Sequence, residues 1–487
     1  MKLERLTAVL LSAAMAAFFT ACGGTASQSA GGNTGTAKTD ASQTDTSDTE
    51  ASQTESTGSG VDYAGIKLGE TGKDIKVSLK MLTNRTDMMQ DDYKGTSWKT
   101  YVEKFNADYP DITVTVEGVT NYAEDSLTRL QSGDWGDIML IPEVNKKDLA
   151  SYFCSFGDLD TVSSQVNYAS KWTYRNQVYG IPTFANANGV VYNKKVFSDA
   201  GITAIPQTTE EFLQDLKMIK EKEPDVIPFY TNYAAGWTMN AWDPYCWGGA
   251  TGDSKYRYQT FVHAADPFKD PGDGTHAFNV YKVLYDAVKE KLTEEDYTTT
   301  DWEGSKGMIN NGQIGCMVLG SWSYEQMRQG GDHGDDIGYM PFPMTVGGKQ
   351  YCTAAPDYNF GINVNSSDDN KKAAAIFIKW MTEKSGWSYE GGGLPIKAGD
   401  TNFPDLYKVF TDNNVQFVED APALDGEEDL LNKLNADSEL MMDEGGKEKV
   451  QAIVEAASTG SKDFAAIMDE WNQKWSDAQK ADNVEVK

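Results

Sequence analysis

Apolar and polar positions alternate through Ile75-Lys76-Val77-Ser78-Leu79-Lys80-Met81-Leu82, the period of two that predicts a half-buried strand. A polar stretch follows over 83–93. Then Trp98, Tyr101, Val102 and Phe105 fall at helical spacing, with Thr96 or Ser97 placed to cap the helix. Pro110-Asp111 stops that helix, and Ile112-Thr113-Val114-Thr115-Val116 alternates again as a second strand. A helix over 122–130 and a short apolar strand over 137–141 complete the run. Strands alternating with helices predict a parallel sheet with helices on its faces.

Farther along, Thr208-Thr209-Glu210-Glu211 forms a capping box before Phe212, Leu216 and Ile219, so a helix begins there. A helix around Met308 and Ile309 leads into a strand over 314–319. Ala373, Ile376, Phe377 and Trp380 mark a core-facing helix, and two more are expected over 450–457 and 464–475. At 487 residues the chain exceeds what one hydrophobic core serves, so a three-layer α/β protein with more than one lobe is expected.

The first sixty residues read differently. Lys2 and Arg5 precede an apolar run over 6–19, too short for the ~20 residues of a spanning helix. Small Ala21 then stands before Cys22. Residues 1–21 read as a secretory signal, and Phe19-Thr20-Ala21-Cys22 resembles a bacterial lipobox, with Phe19 in place of the usual Leu. That resemblance implies diacylation of Cys22. Between Gly24 and Gly60 there is no aromatic residue and no Leu, Ile or Val, so 22–60 is expected to be a disordered tether.

The formal net charge of −30 opposes nucleic acid partners and anionic lipid surfaces. Cys154, Cys246, Cys316 and Cys352 are widely spaced without a CxxC, which argues against zinc and leaves their pairing open. No GxSxG, HExxH, P-loop or dinucleotide glycine fingerprint occurs in a strand-to-helix context. Asp266, Asp270, Asp273 and Gly274 lack the spacing and final Glu of a calcium loop. The chain is therefore expected to be neither an enzyme nor dependent on a cofactor or metal.

Several segments resemble the bacterial extracellular solute-binding proteins of the maltose and multiple-sugar-binding type. They are 105–114, 179–182 with Gly189-Val190-Val191-Tyr192-Asn193-Lys194, 209–212, 312–317 with Gly320-Ser321-Trp322, and 373–381 with Gly392-Gly393-Leu394-Pro395. The order and spacing of these segments carry the resemblance over nearly the whole chain after Val61. It implies a two-lobe periplasmic-binding-protein-like fold with discontinuous lobes, hinge strands and an interlobe cleft. Lobe 1 would take 61–183 and 341–382, and lobe 2 would take 184–340 and 383–487. It also implies a monomeric, lipid-anchored protein on the outer face of the cell membrane. Such a protein binds a carbohydrate, expected to be an oligosaccharide, and delivers it to the permease subunits of an ABC importer. A peptide, polyamine or phosphate-compound binder on the same scaffold, or a surface glycoside hydrolase, is the alternative.

A neutral sugar needs aromatic platforms for its C–H faces and side chains that exchange hydrogen bonds with hydroxyls. Twelve Trp, 24 Tyr and 19 Phe supply the former. Asn84, Arg85 and Asp87 follow the first strand, at the carboxyl edge where open α/β sheets bind ligands. Trp237, Trp242 and Trp247 crowd one Gly-rich stretch with Asp243. Tyr358 precedes a strand, and Gly391 to Gly393 would let backbone approach a ligand. By resemblance, Trp322 sits at the sugar-facing turn, and Asp137 with Trp135 at a ligand-facing loop. Each has a plainer alternative as a core residue, a turn cap or a solvated loop.

Overall fold

The computed structural model describes residues 60–487, apart from 92, 94, 120, 121, 444 and 445. The signal segment, the tether and Cys22 lie outside the described residues. The strands are Val77–Thr83 (β1), Ile112–Gly118 (β2), Ile138–Leu140 (β3), Ile181–Pro182 (β4), Ala185–Asn193 (β5), Ile227–Phe229 (β6), Ile314–Gly320 (β7), Ile337–Pro341 (β8), Thr345–Val346 (β9), Lys349–Pro356 (β10), Asn359–Ile362 (β11) and Gln416–Val418 (β12). A separate two-stranded ribbon pairs Thr173–Tyr174 with Gln177–Val178.

Two larger sheets result. The first has the order β2-β1-β3-β11-β4. Its β1 runs parallel to β2, from Val77 opposite Ile112 to Thr83 opposite Gly118, and parallel to β3. Beyond β3 the pairing turns antiparallel: β11 runs against β3, and β4 runs against β11 and so in the same sense as β1, β2 and β3. The parallel sheet predicted from strand–helix alternation holds for β2, β1 and β3, and the reversed β11 separates β4, of the same sense, from them. The second sheet has the order β9-β10-β5-β7-β6, with β8 on β5 and β12 on β10.

Nine-residue β5 organises the second sheet. Its first half pairs with β10, Ala187 opposite Ala354, and its second half with both β7 and β8. Side chains of a strand alternate between faces, and here the alternation divides two cores. Val190, Val318 and Met340 point into a core built with the helices Thr209–Lys222, His276–Lys289, Lys447–Thr459 and Phe464–Ala481. Val191, Met317, Leu319 and Tyr339 point the other way, into a core that continues beneath the first sheet.

The chain passes from first sheet to second between β4 and β5, and returns between β10 and β11. Residues 341–356 belong to the second sheet, so the return expected at 341 comes at Pro356-Asp357 instead. The hairpin β9–β10 extends the second sheet before the chain leaves it. The four described cysteines are all buried and none is paired.

Candidate functional site

The carboxyl ends of β1 and β3 open onto a cleft between the two sheets. Just past β1, Arg85 donates from Nε and Nη2 to the two carboxylate oxygens of Asp87 at 2.9 and 2.8 Å. It also lies 6.0 Å from the ring centre of Trp387, which stacks on Trp98 at 4.7 Å. Asn84, Arg85, Trp387, Phe184, Asp357 and Tyr358 line a small recess. Asp357 and Tyr358 also border a cavity of about 340 Å³, with Glu143 and Lys171 on its far side. Glu143 and Lys171 in turn border a third cavity, of about 280 Å³, that ends at Lys146, Arg257, Asp420 and Asp443. Shared walls make the three cavities one cleft running from Arg85 to Arg257.

The second sheet supplies the opposite wall. At the start of β5, Asn186 donates from Nδ2 to Asp357 at 3.3 Å and accepts from Ser321 Oγ at 3.2 Å. Ser321 follows β7 and is succeeded by Trp322. The Trp322 ring belongs to a three-way cluster, 5.6 Å from Trp237 and 5.8 Å from Trp302, which are 4.9 Å apart. Trp237 is 43% exposed, unusually open for so large an apolar ring.

Charges of both signs face one another inside the cleft. Burial raises the Asp357 carboxyl, while the Tyr358 backbone, Lys171, Arg85 and Asn186 pull it back. Burial pushes Asp420 up to about 6 against the pull of Arg257, and also raises Glu419. Lys146 is pushed down to about 8, chiefly by burial and secondarily by Arg257 and Lys171. Burial likewise works against Asp87, but the hydrogen bonds and charge of Arg85 hold its carboxyl below the usual range. Alternating donors, acceptors and aromatic faces suit a polyhydroxylated neutral ligand.

The structure gathers some of the expected residues and separates others. Asn84, Arg85 and Tyr358 line the cleft, Asp87 holds Arg85 in place, and Trp322 with Trp237 forms the aromatic cluster. Trp135 does not join them: it is buried against Phe153, with ring centres 5.4 Å apart. Asp137 is a structural acceptor, taking bonds from Lys80 N at 2.9 Å, Ser366 Oγ at 2.7 Å and Asn370 Nδ2 at 2.9 Å. Trp242 and Trp247 fill the second core, and Trp247 Nε1 donates to Asp443 at 2.6 Å. Asp243 is fully buried with Lys449 at 2.6 Å and accepts from Tyr281 OH at 2.6 Å. A cluster of apolar rings in one loop reads as exposed only until the helices that cover it are known. At Gly393 the close approach is to Phe184, whose side chain would lie 2.5 Å from an added Cβ.

Sequence reasoning passed over Glu143, Lys171, Asn186, Trp302, Arg257 and Asp420. Glu143 carried a usable signal, since Pro142-Glu143 follows β3 as Asn84-Arg85 follows β1. Arg257 and Asp420 are 163 residues apart in sequence and meet only through the fold.

Residues 92–386, more than half of the chain, match the family model described as bacterial extracellular solute-binding protein. The chain is similar to a binding protein of an ABC transporter from Bifidobacterium animalis subsp. lactis, solved in complex with mannobiose. Identity is 50%, covering 87% of this chain and 99% of that one, with a TM-score of 0.78. A manno-oligosaccharide-specific solute-binding protein from the same organism, solved with mannotriose, gives the same identity, coverage and TM-score. The multiple sugar-binding protein of Streptococcus mutans is 24% identical over 337 residues, 66% of this chain and 76% of its own.

Proposed function

Because this chain belongs to the bacterial extracellular solute-binding protein family, we propose that it captures a short manno-oligosaccharide outside the cell and delivers it to an ABC importer. Its 50% identity over 87% of the chain to a protein solved with mannobiose carries this reading. The two-sheet cleft supports it, since Arg85, Asp357, Lys171 and Asn186 offer hydroxyl partners beside aromatic rings. Asn84, Arg85, Tyr358, Trp237 and Trp322 bind the ligand, with Asp87 fixing Arg85.

Lobe 1 comprises 61–183 and a return that begins at 357. The lobes close on the ligand by bending at the two crossings, and the closed form docks on the permease. Cys22 carries the lipid that holds the protein at the outer face of the membrane. The protein performs no chemistry on the sugar it carries.

Titration calorimetry with mannobiose, mannotriose, maltotriose, a peptide and a polyamine tests this. Tight binding of the mannosides with the sugar recovered intact is the expected result. A preference for the peptide or polyamine would overturn the ligand class. Cleavage of the sugar would replace the transport reading with a hydrolase.

A further inference from the structure

The Arg257 end of the cleft has no counterpart among the residues assigned above, and it is the most completely built part of the cleft. Its two walls come from different lobes. Lys146 opens a short helical turn after β3 and Lys171 stands just before the two-stranded ribbon, whereas Arg257 and Tyr258 lie between β6 and β7 and Asp420 follows β12. Ser170 bridges the walls, donating from N to Glu419 at 2.9 Å and from Oγ to the Asp420 carbonyl at 2.9 Å.

Arg257 is fixed from several sides. It pairs with Asp420 at 3.2 Å and Asp443 at 2.8 Å, and lies 4.7 Å from the Tyr258 ring and 5.4 Å from Trp247. Such a guanidinium is set in place before any ligand arrives. Lys146 is the opposite case. Its ammonium lies over the Tyr258 ring, 5.3 Å from the centroid, and beyond that contact makes no ion pair or hydrogen bond among the described residues. Arg257 Nε, Asp420 Oδ1 and Asp443 Oδ1, though buried, also find no hydrogen-bond partner among them. The cluster therefore has hydrogen-bonding capacity to spare.

We propose that this cavity of about 280 Å³ is a subsite for one terminal pyranose, formed only when the lobes come together. This rests on the carbohydrate reading above. Its size falls at or below the small end of ligand pockets, which suits one ring rather than a chain. Lys146 donates to vicinal hydroxyl oxygens, the Asp420–Asp443 side accepts from hydroxyls, and Tyr258 or Trp172 faces the ring. Carboxylates outnumber cations on the walls, so a neutral sugar is preferred over a uronate.

Calorimetry on Lys146→Met and Lys146→Arg, with mannotriose and a mannuronate trimer as ligands, tests the subsite. Lys146→Met is expected to weaken mannotriose by roughly 10-fold or more, the loss of one charged hydrogen bond. Lys146→Arg should recover part of that loss, and neither variant should lower the melting temperature. Mannotriose bound by Lys146→Met within about twofold of the unaltered protein would overturn the subsite alone. Equal binding of the mannuronate trimer would overturn its preference for neutral sugars. If the unaltered protein bound no sugar, the carbohydrate reading would fall and the subsite with it.

Discussion

At Gly320 an added Cβ would lie 2.6 Å from Trp322 Nε1, so the bare backbone there is what lets the indole fold back beside its own strand. Gly320→Ala should displace that ring and weaken mannoside binding about 10-fold with little loss of stability, whereas Trp322→Ala should weaken it further, by on the order of 10- to 100-fold. Calorimetry beside a thermal melt separates the two effects. The buried pair behaves differently. Lys449→Met strands the Asp243 carboxylate and should cost about 3–5 kcal/mol in a denaturant titration. Asp137→Ala should cost roughly 1–3 kcal/mol and leave sugar affinity unchanged, since its three partners tie β1 to the start of the helix Asp368–Glu383. These residues show where sequence was a poor guide. A carboxylate at a strand's start reads the same whether it meets a sugar or three protein donors, because its partners at 366 and 370 are over two hundred positions away.

Elements were far more legible than side-chain roles, for a physical reason: caps and periodicity are local. Thr208 Oγ1 accepts from Glu211 N at 3.2 Å, and Glu211 reaches back to Gln207 N at 2.6 Å, so the box read from four letters starts the helix at Thr209. Thr208→Ala should lower stability by about 1 kcal/mol, visible as a shift in the urea midpoint at constant slope. Ser97 likewise caps the helix from Trp98, accepting from Thr100 N at 3.3 Å. What locality cannot supply is pairing. Nothing within β11 announces that it runs against β3, and nothing within 345–356 announces that those residues stay with the second sheet. Both follow from where distant strands leave an open edge.

Across the whole molecule, the cleft couples folding to protons. Asp420 titrates near 6 in the folded protein and near 4 in an unfolded chain, so between those values the folded state holds a proton that the unfolded state has lost. Stability from this group is therefore fullest below about pH 4 and declines as pH rises through 6. Asp420→Asn should flatten the stability profile over that range by roughly 2–3 kcal/mol, measured by urea unfolding at several pH values. The two-lobe plan itself was readable from the order of weak motifs. The cleft's charged end was not, since it is assembled from stretches scattered between residues 143 and 443.

The burial of every described cysteine gives the protein a built-in clock. Cys154 belongs to the core beneath the first sheet and Cys246 and Cys316 to the core on the far side of the second. A thiol reagent meets none of them until the surrounding packing parts, so each alkylation rate counts how often its own neighbourhood opens. Mass spectrometry of peptides trapped over time would time the openings of the two cores separately. A bound sugar should slow both rates together if it fastens the lobes to one another.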